Sequence, residues 1–359
     1  MKKITLFLFV FIISCSKART IPAPDYDLLV RDMLKMGRVE GTAILFDVKT
    51  MRILYMYNPE MAISRSYEPG SIIKPATTIA YFYNHKPFTY NSNGIYMVYP
   101  GDNSRPRRKV SSRTWRIRRG DYFPDGGMCP RGRVEYEDAL AASSNSYFLH
   151  MMSKLRFSSW LAFLKSAGFG KKTGITFPLV DNKTRKEKYK NKFIPKIYDK
   201  IYETPGLLKF RTRYNKLMCA IGLGPGFKVT PIQMAVFIAS MFNGGKIMKP
   251  VFYSQKPELI NEYKLPANIQ RVYNGMERCV TSGTGGGFVL PLAKKIYAKS
   301  GSTRQHKRPW NPNGWFTGVV KFKQSAIGFV SFIKDRHSTA AKYLLAALLR
   351  QYIRYKYYQ

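Results

Sequence analysis

The spacing of apolar residues changes character along the chain. Apolar positions recur every three or four residues from Ile72 to Tyr83, from Tyr136 to Leu155, from Pro231 to Phe242 and from Ser338 to Tyr352, the repeat of a helix with one buried face, so these four stretches are predicted helices. Thr42–Lys49 and Arg52–Tyr57 are instead rich in β-branched and aromatic residues and are separated by a short polar turn, which predicts a hairpin. Lys295–Lys299, Trp315–Val320 and Ala326–Ile333 also read as strands. The last two are joined only by Lys321–Ser325, a link short enough to imply antiparallel pairing.

The N-terminus has a different pattern. Lys2 and Lys3 precede an unbroken apolar run from Ile4 to Ile13, followed by Ser14 and Cys15. A run of about 10 residues has the length of an export signal and falls short of the roughly 20 needed to span a membrane. Ile12-Ile-Ser-Cys15 resembles a lipobox, in which cleavage precedes the cysteine and the thiol carries lipid. The expectation is therefore a signal peptide over residues 1–14, lipid on Cys15, a tether over 15–38 containing Pro22 and Pro24, and a domain over 39–355. An ordinary cleaved signal with an incidental cysteine is the alternative.

Composition adds two constraints. With 359 residues, 45% apolar and 14% aromatic, the chain can bury a sizeable core. Its net charge of +39 suggests nucleic acid at first, but an export signal removes the chain from that partner, and anionic lipid headgroups or wall polymers suit the charge better. Arg105–Arg119 and Lys183–Lys200 concentrate part of it and read as solvated surface loops. Beyond Cys15, the three cysteines Cys129, Cys219 and Cys279 are odd in number and match no metal spacing, so neither a disulfide framework nor a metal site is expected.

The chemistry rests on serine and lysine. A serine hydroxyl is a weak nucleophile unless a base takes its proton, and a lysine three residues on along a helix lies one turn away on the same face. Ser-x-x-Lys occurs three times, at Ser14–Lys17, Ser71–Lys74 and Ser331–Lys334. Ser14 leaves with the signal peptide, and Ser331 and Lys334 fall at the end of a strand, where residues three apart point to opposite faces. Only Ser71 opens a helix. Tyr67-Glu-Pro-Gly70 is a turn that delivers it to the helix N-terminus, where backbone N–H groups can hold an oxyanion, and Pro75 is tolerable only that early in a helix.

Tyr67-Glu-Pro-Gly-Ser-Ile-Ile-Lys-Pro75 resembles the first motif of the penicillin-binding transpeptidases. That family carries two further motifs in this order, Ser-x-Asn and Lys-Thr/Ser-Gly. Ser143-Ser144-Asn145 is the only Ser-x-Asn in the chain and follows Glu137-Asp-Ala-Leu-Ala-Ala142 much as the family's second motif follows an Ala/Leu helix. Lys172-Thr173-Gly174 and Lys299-Ser300-Gly301 both match the third. The first sits in a loop that the family also carries away from its active site. The second closes Ile296-Tyr-Ala-Lys-Ser-Gly-Ser302 and is followed by Gly314-Trp-Phe-Thr-Gly318, so it is taken as the site. Ile221-Gly-Leu-Gly224, Val229-Thr-Pro-Ile-Gln-Met-Ala235, Asn243-Gly-Gly245 and Thr281-Ser-Gly-Thr284 match the family as well, and the resemblance covers roughly residues 40–350. The family's usual threonine at Ser302 keeps only its hydroxyl here, and its transmembrane anchor, pedestal and glycosyltransferase domains find no counterpart.

The resemblance implies an α/β fold, a central antiparallel sheet flanked by helices plus a mostly helical subdomain, with the site where the two meet. It implies acyl transfer on the D-Ala-D-Ala end of peptidoglycan stem peptides, to an amine as a D,D-transpeptidase or to water as a D,D-carboxypeptidase, with Ser71 as nucleophile, Lys74 as base and Ser143 as proton relay. Asn145, Lys299, Ser300, Gly301 and Ser302 would bind substrate, and the N–H groups of Ser71 and Ser302 would hold the oxyanion. Lys74 must be neutral to act as base, which the neighbouring cation Lys299 would favour by depressing its pKa. β-Lactams would acylate the same serine. No cofactor is implied. Implied partners are the membrane, through the lipid, and a separate glycosyltransferase, at a periplasmic or cell-surface location. A class D-like β-lactamase or β-lactam sensor shares the three motifs, and an inactive wall-binding scaffold is a further alternative.

Overall fold

The computed structural model describes residues 25–97, 108–109, 120–126, 128–176, 202–209, 213–223, 226–252, 255–304 and 312–357. A five-stranded sheet organises them: β1 (Gly41–Asp47), β2 (Ile53–Tyr57), β3 (Lys295–Arg304), β4 (Pro312–Lys321) and β5 (Ala326–Ile333), in the spatial order β3-β4-β5-β1-β2. Every neighbouring pair is antiparallel. The N-terminal hairpin lies beside the last strand, Gly41 opposite Ile333 and Asp47 opposite Ile327, so the two ends of the chain close one sheet. β3 is left at an edge and runs well past the expected Lys299, because its pairing with β4 continues to Arg304 opposite Pro312.

Strand side chains alternate between faces, and both faces of this sheet are covered. Ile44, Phe46, Trp315, Val319, Val330 and Phe332 join the larger core. There the helix α7 (Pro231–Phe242) packs with Pro231 through Met241 all buried, which explains a segment apolar on every side. Thr230 and Gln233 cap its start reciprocally. Ala43, Leu45, Phe316, Ile327 and Phe329 face the other way, against α9 (Ser338–Tyr357) and α1 (Tyr26–Met36). The remaining helices, α2 (Lys74–Phe82), α3 (Tyr136–Ala142), α4 (Asn145–Lys154), α5 (Phe157–Ser166), α6 (Arg213–Ala220) and α8 (Ile269–Thr281), form the helical subdomain. This is the α/β architecture the sequence implied.

Three local expectations are revised. Residues 26–36 of the expected tether form α1, with Val30 and Leu34 buried in the sheet's second core; the apolar spacing of Leu29, Val30, Met33 and Leu34 makes one helical face, and Asp25 caps the start. The expected helix over Tyr136–Leu155 is two helices, because Ser143 adopts a left-handed conformation (φ 63°) that ends α3. The helix expected from Ile72 opens as a 3₁₀ turn, Gly70–Ile73, before α2 begins at Lys74. Cys15, Pro22 and Pro24 lie outside the described residues, as does Lys183–Lys200. Of Arg105–Arg119 only Arg108–Lys109 is described, paired in parallel with Asp121–Tyr122. Among the described residues, no helix is long and apolar enough to cross a membrane.

Candidate active site

The three motifs come from distant parts of the chain and converge between the sheet edge and the helical subdomain. The first is fixed by its backbone. Tyr67 and Val229 exchange N–H···O bonds at 2.9 and 2.8 Å, the Tyr67 ring stacks on Phe332, and Trp315 Nε1 donates to Glu68 O at 3.0 Å. Gly70 N donates to Gly222 O at 2.8 Å. The two glycines approach so closely that a Cβ on Gly222 would stand 1.8 Å from Gly70 O, and both have positive φ. Ser71 follows in the 3₁₀ turn, half-buried.

The third motif passes directly over this turn. A Cβ on Gly301 would meet Ile72 N and Pro69 O at 3.1 Å, and one on Gly70 would meet Ser302 N and O at 3.2 Å. A side chain at 301 would crowd the turn that carries Ser71, so a glycine there lets the edge strand approach it closely. Lys299 is fully buried, with Nζ donating to Ser300 O at 3.0 Å. The two motif hydroxyls already have partners: Ser300 Oγ is 2.5 Å from Thr284 Oγ1, and Ser302 Oγ accepts from Ser338 N, the first residue of α9, at 3.2 Å. Because Ser302 Oγ accepts there, its own O–H proton stays available to donate. Thr284 N donates to Ala141 O at 3.0 Å, tying the third motif to the end of α3.

Lys74 joins the first motif to the second. It is fully buried, and its Nζ donates to Ser143 O at 2.7 Å, Asn145 Oδ1 at 2.9 Å, Ser144 O at 3.3 Å and Ser143 Oγ at 3.3 Å. The break at Ser143 makes this possible, since it turns consecutive residues of the second motif toward one ammonium. Burial, and then repulsion from Lys299, lowers the Lys74 pKa from 10.5 to about 7, while the Asp125 carboxylate opposes the fall. The lysine–lysine repulsion expected from the sequence is present, and desolvation outweighs it. Lys299 is lowered as well, again by burial. At neutral pH a lysine poised in this way exists partly as the free amine, the form able to take a proton from a serine.

Lys172-Thr173-Gly174, the other match to the third motif, stays apart. The Glu203 carboxylate accepts from the N–H groups of Thr173 and Gly174, and Lys172 is exposed on the rim of a cavity of about 300 Å³ lined by Lys165, Gln233, Val236 and Ile247. Two features near the centre carry no motif. Asp125 binds the second motif from behind, accepting from Ser144 Oγ at 3.0 Å and Ser146 N at 2.8 Å, and the Cys129 thiol donates to Ala142 O at 3.3 Å. Phe123-Pro-Asp-Gly-Gly127 reads in sequence only as a turn, so nothing there marked the aspartate.

Comparison with known proteins bears on the fold and the family. The chain is 23% identical over 320 residues to a peptidoglycan D,D-transpeptidase FtsI homolog of Mesostigma viride, covering 76% of this chain and 48% of that protein. It is 25% identical over 328 residues to the peptidoglycan D,D-transpeptidase MrdA of Acinetobacter baumannii, covering 78% and 44%. The chain therefore spans less than half the length of these curated relatives. Among solved structures, the transpeptidase domain of Burkholderia pseudomallei penicillin-binding protein 3 shares the fold with a TM-score of 0.66 at 15% identity, covering 92% of this chain and 93% of that one. The D,D-transpeptidase domain of a peptidoglycan glycosyltransferase from Eggerthella lenta gives 0.66 at 17% identity, covering 93% and 82%. A sequence model of the penicillin-binding protein transpeptidase domain matches residues 41–353, most of the length, and the chain belongs to that family.

Proposed function

We propose that the protein is a serine-type D,D-transpeptidase acting on the D-Ala-D-Ala end of peptidoglycan stem peptides. The observation that carries this reading is the buried Lys74, poised near neutrality and joined to Ser143 and Asn145, beside the turn that holds Ser71. In the proposed cycle neutral Lys74 takes the Ser71 proton as Oγ bonds to the penultimate carbonyl carbon, and the oxyanion forms against the N–H groups of Ser71 and Ser302. The peptide C–N bond then breaks, and the proton returns through Lys74 and Ser143 to the departing D-alanine. An acceptor amine, or water, cleaves the ester on Ser71. Lys299, with the hydroxyls of Ser300 and Ser302, would hold the terminal carboxylate where the substrate adds to the edge of β3, and Asn145 would hold a substrate amide.

β-Lactams would enter the same path and stop at the ester. The β-lactamase alternative needs a second base, and a carboxylated lysine is the class D solution. The surroundings of Lys74 Nζ disfavour it, because a carbamate would place anionic oxygens among the Ser143 and Ser144 carbonyls and Asn145 Oδ1. Residues 181–188, the stretch that would carry a class A-type base, lie outside the described residues. The apolar run Ile4–Ile13 read as an export signal fits an extracytoplasmic location, and the proposal includes Cys15 as lipid anchor and a separate glycosyltransferase as partner. The test is release of D-alanine from a D-Ala-D-Ala pentapeptide mimic with and without an acceptor amine, using Ser71→Ala as the blank. Release by the wild type alone supports the reading, and equal release by Ser71→Ala sinks it.

A further inference from the structure

The second motif is held by a carboxylate that belongs to none of the three. Asp125 follows the short strand Asp121–Pro124, which pairs with Ile95–Met97, and its N–H donates to Gly94 O at 2.8 Å, so its backbone is fixed independently of the motif. Its Oδ1 accepts from Ser146 N at 2.8 Å; its Oδ2 accepts from Ser144 Oγ at 3.0 Å and from the Ser146 hydroxyl. Ser144 is the N-cap of α4 and accepts from Tyr147 N at 3.1 Å. The carboxylate therefore sits at the start of a ten-residue helix, where orphan N–H groups and the helix dipole favour an anion. Asn145, between the two serines, gives Oδ1 to Lys74, and its Nδ2 reaches back to Pro124 O at 3.4 Å. One helical turn is thus gripped by Asp125 on one side and Lys74 on the other.

The charges around Lys74 make this grip electrostatic as well as geometric. The groups that face it are Lys299 from β3, Asp125 and Cys129 from the loop before α3, and the Phe148 ring from α4, 5.2 Å from Nζ. Lys299 repels the ammonium, and the ring contributes no titrating charge. The Cys129 thiol is pushed above its usual range by burial, so at neutral pH it is uncharged. Asp125 remains as the negative charge opposing both burial and Lys299.

We propose that Asp125 is a positioning residue that fixes the second motif against Lys74 and places a negative charge on the other side of that motif. Its catalytic meaning rests on the transpeptidase reading; its effect on Lys74 does not. Two measurements test it separately. The first is NMR titration of ¹³Cε-lysine protein, with the Lys74 signal identified by its loss in Lys74→Arg, in the wild type and in the isosteric Asp125→Asn. The wild-type midpoint is expected near 7. Removing the negative charge should move it down by about half to one unit, and an unchanged midpoint overturns the counter-charge. The second is the pH profile of acylation by a fluorescent penicillin, where the rising limb for Asp125→Asn should move to lower pH by the same amount. Asp125→Ala, which loses the hydrogen bonds too, should acylate at least ~10-fold more slowly across the profile. Acylation by Asp125→Ala at the wild-type rate overturns the positioning role. If the wild type forms no adduct, the transpeptidase reading falls, and the NMR midpoints still decide the effect of Asp125 on Lys74.

Discussion

Burying Lys74 should cost stability, and pH exposes the cost. In the unfolded chain this lysine keeps its proton up to about 10.5, whereas in the folded protein it gives it up near 7. Between those values the unfolded state binds more protons, so the free energy of unfolding rises with pH across that window. The penalty is complete below about 7 and absent above about 10.5, and the full shift corresponds to ~5 kcal/mol. Replacing Lys74 by methionine removes the titration and keeps an unbranched chain of similar length. It also strands the oxygens of Ser143, Ser144 and Asn145, but that loss does not vary with pH. The difference in unfolding free energy between Lys74→Met and wild type should therefore shift by ~3 kcal/mol from about pH 6 to about pH 9, the variant losing its relative advantage as pH rises. Urea unfolding of both proteins at a series of pH values reads this directly. A difference that stays flat over that range would mean that Lys74 is not a depressed, buried ammonium, and the case for it as a neutral base would fail.

Three other outcomes are expected. Lys299→Ala should impair acylation by a stem-peptide mimic far more than Lys172→Ala, by ~10²-fold or more for a lost charge-assisted contact to the carboxylate; equal effects, or the reverse order, refute the assignment of the third motif. Gly222→Ala, whose Cβ would stand 1.8 Å from Gly70 O at a φ of +79°, should destabilise by ~2–4 kcal/mol and displace the Ser71 turn; a variant that melts and acylates like the wild type would contradict the close approach. Cys15→Ala should abolish metabolic lipid labelling and detergent partitioning, and a wild-type protein that carries no label removes the anchor.

How much of this was legible in sequence depended on whether a residue's role is local. The turn that carries Ser71 could be read because Pro69, Gly70 and Pro75 each constrain the backbone around it. Lys299 could be chosen over Lys172 because strand patterning places the former beside Trp315 and Phe316, and the structure sets them in adjacent strands. The break at Ser143 was not readable, since its left-handed conformation carries no glycine signal and the apolar repeat runs through it from Tyr136 to Leu155. α1 was missed for a different reason: its helical spacing was present, but the prolines just before it suggested a tether. Asp125 was invisible because its importance arises only when a loop meets a helix start 20 residues further on. The repulsion of Lys74 by Lys299 was legible because a charged neighbour shows in a motif, whereas burial, the larger cause of the lowered pKa, was not, because depth does not show in sequence.

The central claim is that Ser71 is a nucleophile activated by Lys74, with no second base to free it once it is acylated. Mass spectrometry of the intact protein over time after mixing with a β-lactam tests this most directly. Loss of general-base help slows deacylation by about 10²–10⁴-fold, so a single adduct equal to the mass of the antibiotic should form on the wild type, persist, and be absent from Ser71→Ala. Rapid return to the unmodified mass with hydrolysed antibiotic would make the protein a β-lactamase, and an adduct retained in Ser71→Ala, or none at all, would contradict the assignment of Ser71.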